Sequence, residues 1–304
     1  MIKRINDYRE TVLEQFKRGS MVGEPSGLSF LDPHLKIRPG YFYTVTGWPG
    51  SGKSEFVLQL SLLQAIISKR KIAFYSPESY PVESFIATMA HCFLGRSTDK
   101  HYKDCCSEEA YMKALDWLHE WVYFVEYEES PAPEIVIEDF KQLKNGYGCK
   151  VFVLDPFNSL TTEEENQNMA LQLKDVLNKF VHFTHSERVI FFCIEHPKTP
   201  RDTQAANEIP GPYQLFGGSM WWNKSDCIFA IHSLKQDGKY TGEVTIKVWK
   251  MKNQKLNGRP GEVGAYFNIV TNRYYANANG GGNAMEIAPE QKQFRYEDEP
   301  DWVN

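Results

Sequence analysis

Apolar residues recur at three- and four-residue spacing from the start of the chain: Ile2, Ile5, Tyr8, Val12, Leu13 and Phe16 fall on one stripe. That period predicts a single amphipathic helix over residues 2–17. A lone helix of this length is marginal in water, so its stripe must dock, on its own domain or on a neighbouring subunit. A turn-rich break follows at residues 19–27, and from Tyr41 the pattern changes. Short apolar runs at residues 41–46, 71–75, 121–125, 151–154, 189–194, 227–231, 244–249 and 265–269 read as strands. Between the earlier runs, residues 55–68, 82–94, 108–120, 134–144 and 166–184 read as helices. Several strand runs are apolar on consecutive residues, as when helices cover both faces of a sheet. The alternation therefore predicts an α/β fold with a mostly parallel central sheet. The last runs leave no room for helices between them, which predicts an antiparallel edge. No internal repeat and no second core is visible. The expected organisation is a linker helix over 1–20, one core domain over 21–276 and a flexible acidic tail over 277–304. The tail is marked by Gly280-Gly281-Gly282 and Glu297-Asp298-Glu299.

Composition narrows the class. The 304 residues are 42% apolar and 24% charged, which excludes a disordered or low-complexity chain. A net charge of −5 argues against a broad polybasic surface and leaves room for a local basic loop. No apolar run approaches a membrane span, and Met1-Ile2-Lys3-Arg4 lacks the apolar core of a signal peptide. The expectation is a soluble, unexported, cytoplasmic protein with no membrane partner. The six cysteines have no regular spacing; His101 with Cys105 and Cys106 resembles half a zinc site, but no second ligand pair follows. Reduced thiols are the simpler reading.

Candidate chemistry is concentrated at the ends of the strand runs. Gly47-Trp48-Pro49-Gly50-Ser51-Gly52-Lys53-Ser54 fits G-x-x-x-x-G-K-[ST] at every fixed position, between a strand run and a helical run. Glycines let backbone N–H groups curl around phosphate oxygens, and the helix N-terminus adds its positive dipole end. Lys53 is placed for the β- and γ-phosphates and the Ser54 hydroxyl for Mg²⁺, which predicts a site for a nucleoside triphosphate and Mg²⁺. The run 151–154 ends in Asp155, fitting a Walker B aspartate on a strand expected beside the P-loop strand. The run 71–75 leads into Ser76-Pro77-Glu78, where Glu78 holds the place of the water-orienting base of RecA-type ATPases. The run 189–194 leads into Glu195-His196-Pro197-Lys198; a polar residue there can sense the γ-phosphate and signal to the long loop beyond. That loop, residues 198–218, carries Lys198 and Arg201 and is too long for an ordinary connection.

From about Gly27 to Tyr275 the ordered motifs resemble the helicase domain of DnaB-type replicative helicases, with the strongest likeness to the Twinkle-like and phage primase–helicase branch. The resemblance rests on Gly47 to Ser54, Ser76-Pro77-Glu78, Asp155-Pro156-Phe157-Asn158 and Glu195-His196-Pro197-Lys198. It continues through Gly218-Ser219-Met220-Trp221-Trp222-Asn223-Lys224-Ser225-Asp226, Lys250-Met251-Lys252-Asn253 and Gly261 to Asn268. It implies a RecA-like core assembled as a homo-oligomeric, usually hexameric ring, with ATP between subunits and single-stranded DNA in the channel. By matching positions, Lys53, Ser54, Glu78 and Asp155 would serve ATP and Mg²⁺, and His196 would sense the γ-phosphate. Lys198, Arg201, Asn223 and Lys224 would face DNA, Phe267 would stack on adenine, and residues 2–17 would form the linker helix on the next protomer. The family places a Lys and then an Arg that reaches the neighbour's γ-phosphate, whereas this chain has Lys250 and Lys252. Lys lacks the bidentate fork of Arg, so trans activation is weakened; Arg259 lies nearby as a substitute. No segment before residue 20 is long enough for a primase or loading domain, so either partner is expected on a separate chain. Trp221 and Trp222 read first as core or interface packing, with base stacking as the alternative. The leading function is an ATP-driven helicase. The rivals are a RecA-fold ATPase that assembles on nucleic acid without unwinding, and a nucleotide-switched scaffold.

Overall fold

The strand-and-helix alternation closes into one nine-stranded sheet, ordered β3-β2-β4-β5-β1-β6-β7-β8-β9. The computed structural model describes residues 2–103, 105–161, 169–200, 208–236 and 239–286. The parallel half comprises β1 (Phe42–Thr46), β2 (Lys71–Tyr75), β3 (Val122–Phe124), β4 (Cys149–Leu154) and β5 (Ile190–Ile194). The strand β6 (Cys227–Gln236) also runs parallel to β1, and antiparallel ribbons β7 (Lys239–Met251), β8 (Gly261–Asn268) and β9 (Arg273–Tyr275) complete the edge. The predicted fold class holds. The strand β9 is an addition: three residues are too short a run to stand out by pattern.

Helices cover both faces of the parallel half. On one face, α2 (Lys53–Ser68), α3 (Val82–Leu94) and α4 (Glu108–Trp121) pack Phe56, Leu60, Met89, Phe93 and Ala114 against Tyr43, Val45 and Phe192. On the other, α5 (Pro133–Gln142), α6 (Met169–Glu187) and α7 (Gly218–Lys224) pack Phe140, Leu177, Phe180 and Trp221 against Phe42, Phe152 and Phe191. Alternation along each strand divides the side chains between these two layers. A short α8 (Gln254–Asn257) follows β7.

The ends of the chain differ from the sequence expectation. The N-terminal helix is a 3₁₀ turn Ile5–Tyr8 running into α1 (Arg9–Arg18), and neither buries any residue. Its stripe is therefore not docked on its own domain: Ile5 is 86% and Phe16 84% exposed. Residues 277–286, expected to belong to a flexible tail, fold back onto the domain. Three glycines with positive φ, Gly280, Gly281 and Gly282, turn the chain back so that Asn283 donates to the Tyr274 carbonyl and Met285 enters the core. Residues 287–304, the acidic run at 163–165 and Arg201 lie outside the described residues. Among the described residues, no helix is long and apolar enough to cross a membrane, no His/Cys/Asp/Glu group could hold a metal ion, and the six cysteines are free.

One buried carboxylate ties the two halves of the sheet. Asp226, at the start of β6, accepts from the Phe42 N–H at 2.9 Å, His185 Nε2 at 2.8 Å and Lys252 Nζ at 2.7 Å. Burial alone would raise its pKa, but the hydrogen bonds from His185, Lys252 and Phe42 hold it below the usual carboxylate range. Asp226→Ala would strand the Phe42 N–H, the His185 ring and the Lys252 ammonium, and is expected to cost about 3 kcal/mol in urea unfolding at neutral pH.

Candidate active site

The carboxyl ends of β2, β4, β5 and β1 lie side by side and carry Glu78, Asp155, His196 and Gly47. The strand β1 is wholly buried and leads directly into the loop 47–52, after which α2 starts at Lys53. Gly50 and Gly52 take positive φ of 70° and 85°. A Cβ on Gly50 would sit 2.6 Å from the Tyr240 hydroxyl, and one on Gly52 would collide with the Tyr274 hydroxyl. The glycines thus keep a narrow backbone cradle open while aromatic hydroxyls close around it. Inside the cradle, Ser51 Oγ is buried without a hydrogen-bond partner. The Lys53 ammonium rests on the carbonyls of Gly47 at 3.0 Å and Trp48 at 3.1 Å. Burial lowers the Lys53 pKa, opposed by the nearby carboxylates of Asp155, Glu55 and Glu78.

Asp155 requires a correction. Its strand β4 is not beside β1, because β5 lies between them. The aspartate reaches the nucleotide loop another way: in the alternation of β4 it follows Val151 and Val153 on the α2 face, and its carboxylate bonds the Ser54 side chain in the first turn of α2. Burial pushes Asp155 up to about 6, and the Ser54 bond works against that rise. Glu78 stands exposed beyond β2, with His196 Nε2 3.5 Å from its carboxylate. Burial and then Lys53 lower the His196 pKa, favouring a neutral ring. Lys53, Ser54, Asp155, Glu78 and His196 are thus brought together as the motifs suggested.

The other candidates, Phe267 apart, lie elsewhere. Met251 pairs with Cys227 at the start of β6, so Lys250 and Lys252 sit at the opposite end of the sheet from the P-loop. Both are engaged within the chain, Lys252 by Asp226 and Lys250 by the Trp222 carbonyl. Arg259 is exposed near His34, whose ring Nδ1 lies 2.9 Å from its carbonyl. Phe267 packs on Tyr274, centroids 4.9 Å apart, and lines an open recess of about 690 Å³ with Gly50, Tyr240, Tyr266 and Tyr274. Asn223 and Lys224 are on α7, with Asn223 exposed; Lys198 is exposed with its ammonium 5.8 Å from the Phe216 ring centre. Trp221 is buried core, its indole N–H bonded to the Phe216 carbonyl, as the packing reading expected.

Three features escaped the sequence reading. Tyr274 donates from its hydroxyl to the Gly52 carbonyl at 2.8 Å and so braces the cradle from β9. The Trp48 indole N–H donates to the Glu208 carbonyl at 2.8 Å, joining the P-loop to the segment after residues 201–207; Trp48's motif position was visible, its partner was not. Glu195 is buried with Oε2 unpartnered, on the face opposite α2, and burial pushes its pKa up to about 8. A carboxyl directly before His196 at the end of an apolar run was the available signal.

The hydrogen-bonded Ser54 and Asp155 oxygens, the glycine cradle and the unpartnered Ser51 hydroxyl suit a magnesium–nucleoside triphosphate. The fold and site define a P-loop nucleotide-binding domain of RecA-like architecture. No protein-family model matches the chain. It is 25% identical over 269 residues to the Twinkle homolog protein, chloroplastic/mitochondrial, of Arabidopsis thaliana; the match covers 84% of this chain and 37% of that relative's length. Among solved structures, the ATPase domain of G40P superposes with a TM-score of 0.74 at 15% identity, over 90% of this chain and 99% of that one. A DnaB-like replicative helicase, solved in a study of its interactions with primase, gives 0.69 at 16% identity, over 90% and 67%. The resemblance to a DnaB-type helicase domain, first read from the ordered motifs, holds in both sequence and fold.

The proton on Glu195 makes a testable contribution to stability. The unfolded carboxyl titrates near 4.5 and the folded one near 8, so the folded chain keeps a proton that the unfolded chain releases. Stability from this group is therefore complete below pH 4.5 and declines as pH rises to 8. Glu195→Gln should abolish that decline. Urea unfolding at pH 5 and pH 9 should show the variant gaining relative to the parent by a few kcal/mol at the higher pH, roughly.

Proposed function

We propose that this chain is the motor domain of an ATP-dependent replicative DNA helicase, working as a homo-oligomeric, hexameric ring on single-stranded DNA. The observation that carries the reading is the junction of chemistry and loop. Glu78, His196, Lys53 and the Ser54–Asp155 pair converge at one sheet edge, and Trp48 ties that edge to the segment beyond the DNA-facing loop. Ser54 and Asp155 would hold Mg²⁺, which supplies charge neutralisation of the triphosphate. Lys53 would exchange its loop carbonyls for phosphate oxygens. Glu78 orients and deprotonates the attacking water, and the neutral His196 holds Glu78 in place and reads the γ-phosphate. Phe267 and its recess receive the base. Lys198, Arg201, Asn223 and Lys224 face the strand.

In this arrangement the exposed stripe of α1 docks on the next protomer, and the sheet end with Lys250 and Lys252 faces that neighbour's nucleotide. Translocation is 5′ to 3′, in the cytosol. One observation favours the second reading, a RecA-fold ATPase that binds DNA without unwinding it. Lys252 stands where an arginine would reach across, and Asp226 already holds it.

Steady-state ATP hydrolysis with and without single-stranded DNA tests the proposal. Wild type should be stimulated several-fold by DNA, and Lys53→Ala should lose roughly 10²-fold or more in turnover. Hydrolysis indifferent to DNA would remove the motor reading. Stimulated hydrolysis without unwinding of a forked duplex would select the second reading.

A further inference from the structure

An aromatic surface on the segment 208–224 is not used by the nucleotide chemistry. Tyr213 lies on the 3₁₀ turn Pro212–Gln214 and is 66% exposed. Its ring stacks on Trp222 of α7, centroids 6.0 Å apart and planes within 20°. The Lys250 ammonium lies 5.5 Å from the Trp222 ring centre, and the Lys198 ammonium lies against Phe216 on the same segment. Lys224 closes α7.

The ring is displayed on a braced backbone. The Trp249 indole N–H bonds the Pro210 carbonyl at 3.0 Å, and the Lys198 N–H bonds the Gln214 carbonyl at 2.9 Å. Gly218 is packed so closely that a Cβ there would lie 2.5 Å from the Pro212 carbonyl oxygen and the Tyr213 Cα. A planar group held open in this way loses little conformational entropy on stacking. Its companions are cations: Lys198, Lys224 and Lys250, with Glu208 as the carboxylate at the far end of the segment. Flat rings beside ammonium groups match a ligand that alternates flat bases with phosphates.

Resting on the strand-binding reading above, we propose that Tyr213, backed by Trp222, is a stacking platform for a base of single-stranded nucleic acid. Lys198 and Lys224 take the flanking phosphates. The platform holds bases as well as backbone, and it does so without sequence preference, because every base presents a π face.

The test uses the full chain and two fluorescein-labelled 20-mers of equal charge, oligo(dT) and a wholly abasic strand, in anisotropy titrations at one salt concentration. Wild type should prefer oligo(dT) by roughly tenfold. Tyr213→Ala should bind both strands with the abasic affinity, and Tyr213→Phe should keep the preference. Equal binding of the two strands by wild type, or a preference that survives in Tyr213→Ala, would overturn the platform and leave strand binding intact. Binding of neither strand would overturn the strand-binding reading along with it. A shift of Tyr213→Ala to a smaller assembly in size-exclusion chromatography, with its base preference retained, would make the surface a subunit contact instead.

Discussion

Parallel strands cannot be joined by tight turns; each return crosses one face of the sheet, usually as a helix. That constraint governs the parallel half of this molecule. Helices cover both faces, the strands between them are largely buried and mostly apolar, and the chain leaves every strand at the same edge. Charged residues find no place in the middle of such strands, so they gather near the strand ends. Glu78, Asp155, His196 and the glycine loop are four consequences of one arrangement. The first turn of α2 joins them there with free N–H groups and a positive dipole end.

Three buried or nearly buried carboxylates show how finely the surroundings set the charge. Asp226 has three donors and stays ionised. Asp155 has the Ser54 hydroxyl and a lysine at a distance, and sits near 6. Glu195 has an unpartnered oxygen and holds its proton to about 8. Similar burial therefore yields a structural anion, a poised ligand and a neutral acid, and donors decide which. The anion also has a mechanical effect: the cation that the family pattern would extend toward a neighbour is instead held at home, at the end of the sheet remote from its own nucleotide loop.

Local signals made the chemistry legible. The P-loop is a contiguous motif between a strand and a helix, and Asp155, Glu78 and His196 each follow an apolar run that reads as a strand. What could not be read was long-range pairing. Nothing in residues 149–155 says that β5 lies between them and β1, because the order of strands is settled by crossovers rather than by any one run. The helix α7 is the seven residues Gly218-Ser219-Met220-Trp221-Trp222-Asn223-Lys224, with no usable period. Residues 277–286 look like a linker by composition, yet positive-φ glycines bring Met285 into the core. Tyr240 and Tyr274 reach the cradle from strands nearly two hundred residues or more further along, and no local pattern announces such contacts.

The strand that feeds the cradle is hydrogen-bonded on one side to Ile190–Ile194 and on the other to the strand that starts at Cys227, and Tyr274 closes the loop from beyond both. Synthesis delivers the P-loop first, and its two flanking strands arrive well over a hundred residues later. Until they do, this wholly buried strand has no sheet partners. The nascent chain must therefore carry an unfinished nucleotide site until the residues of β6 and Tyr274 have been made, which makes that interval the period of greatest exposure to misassembly.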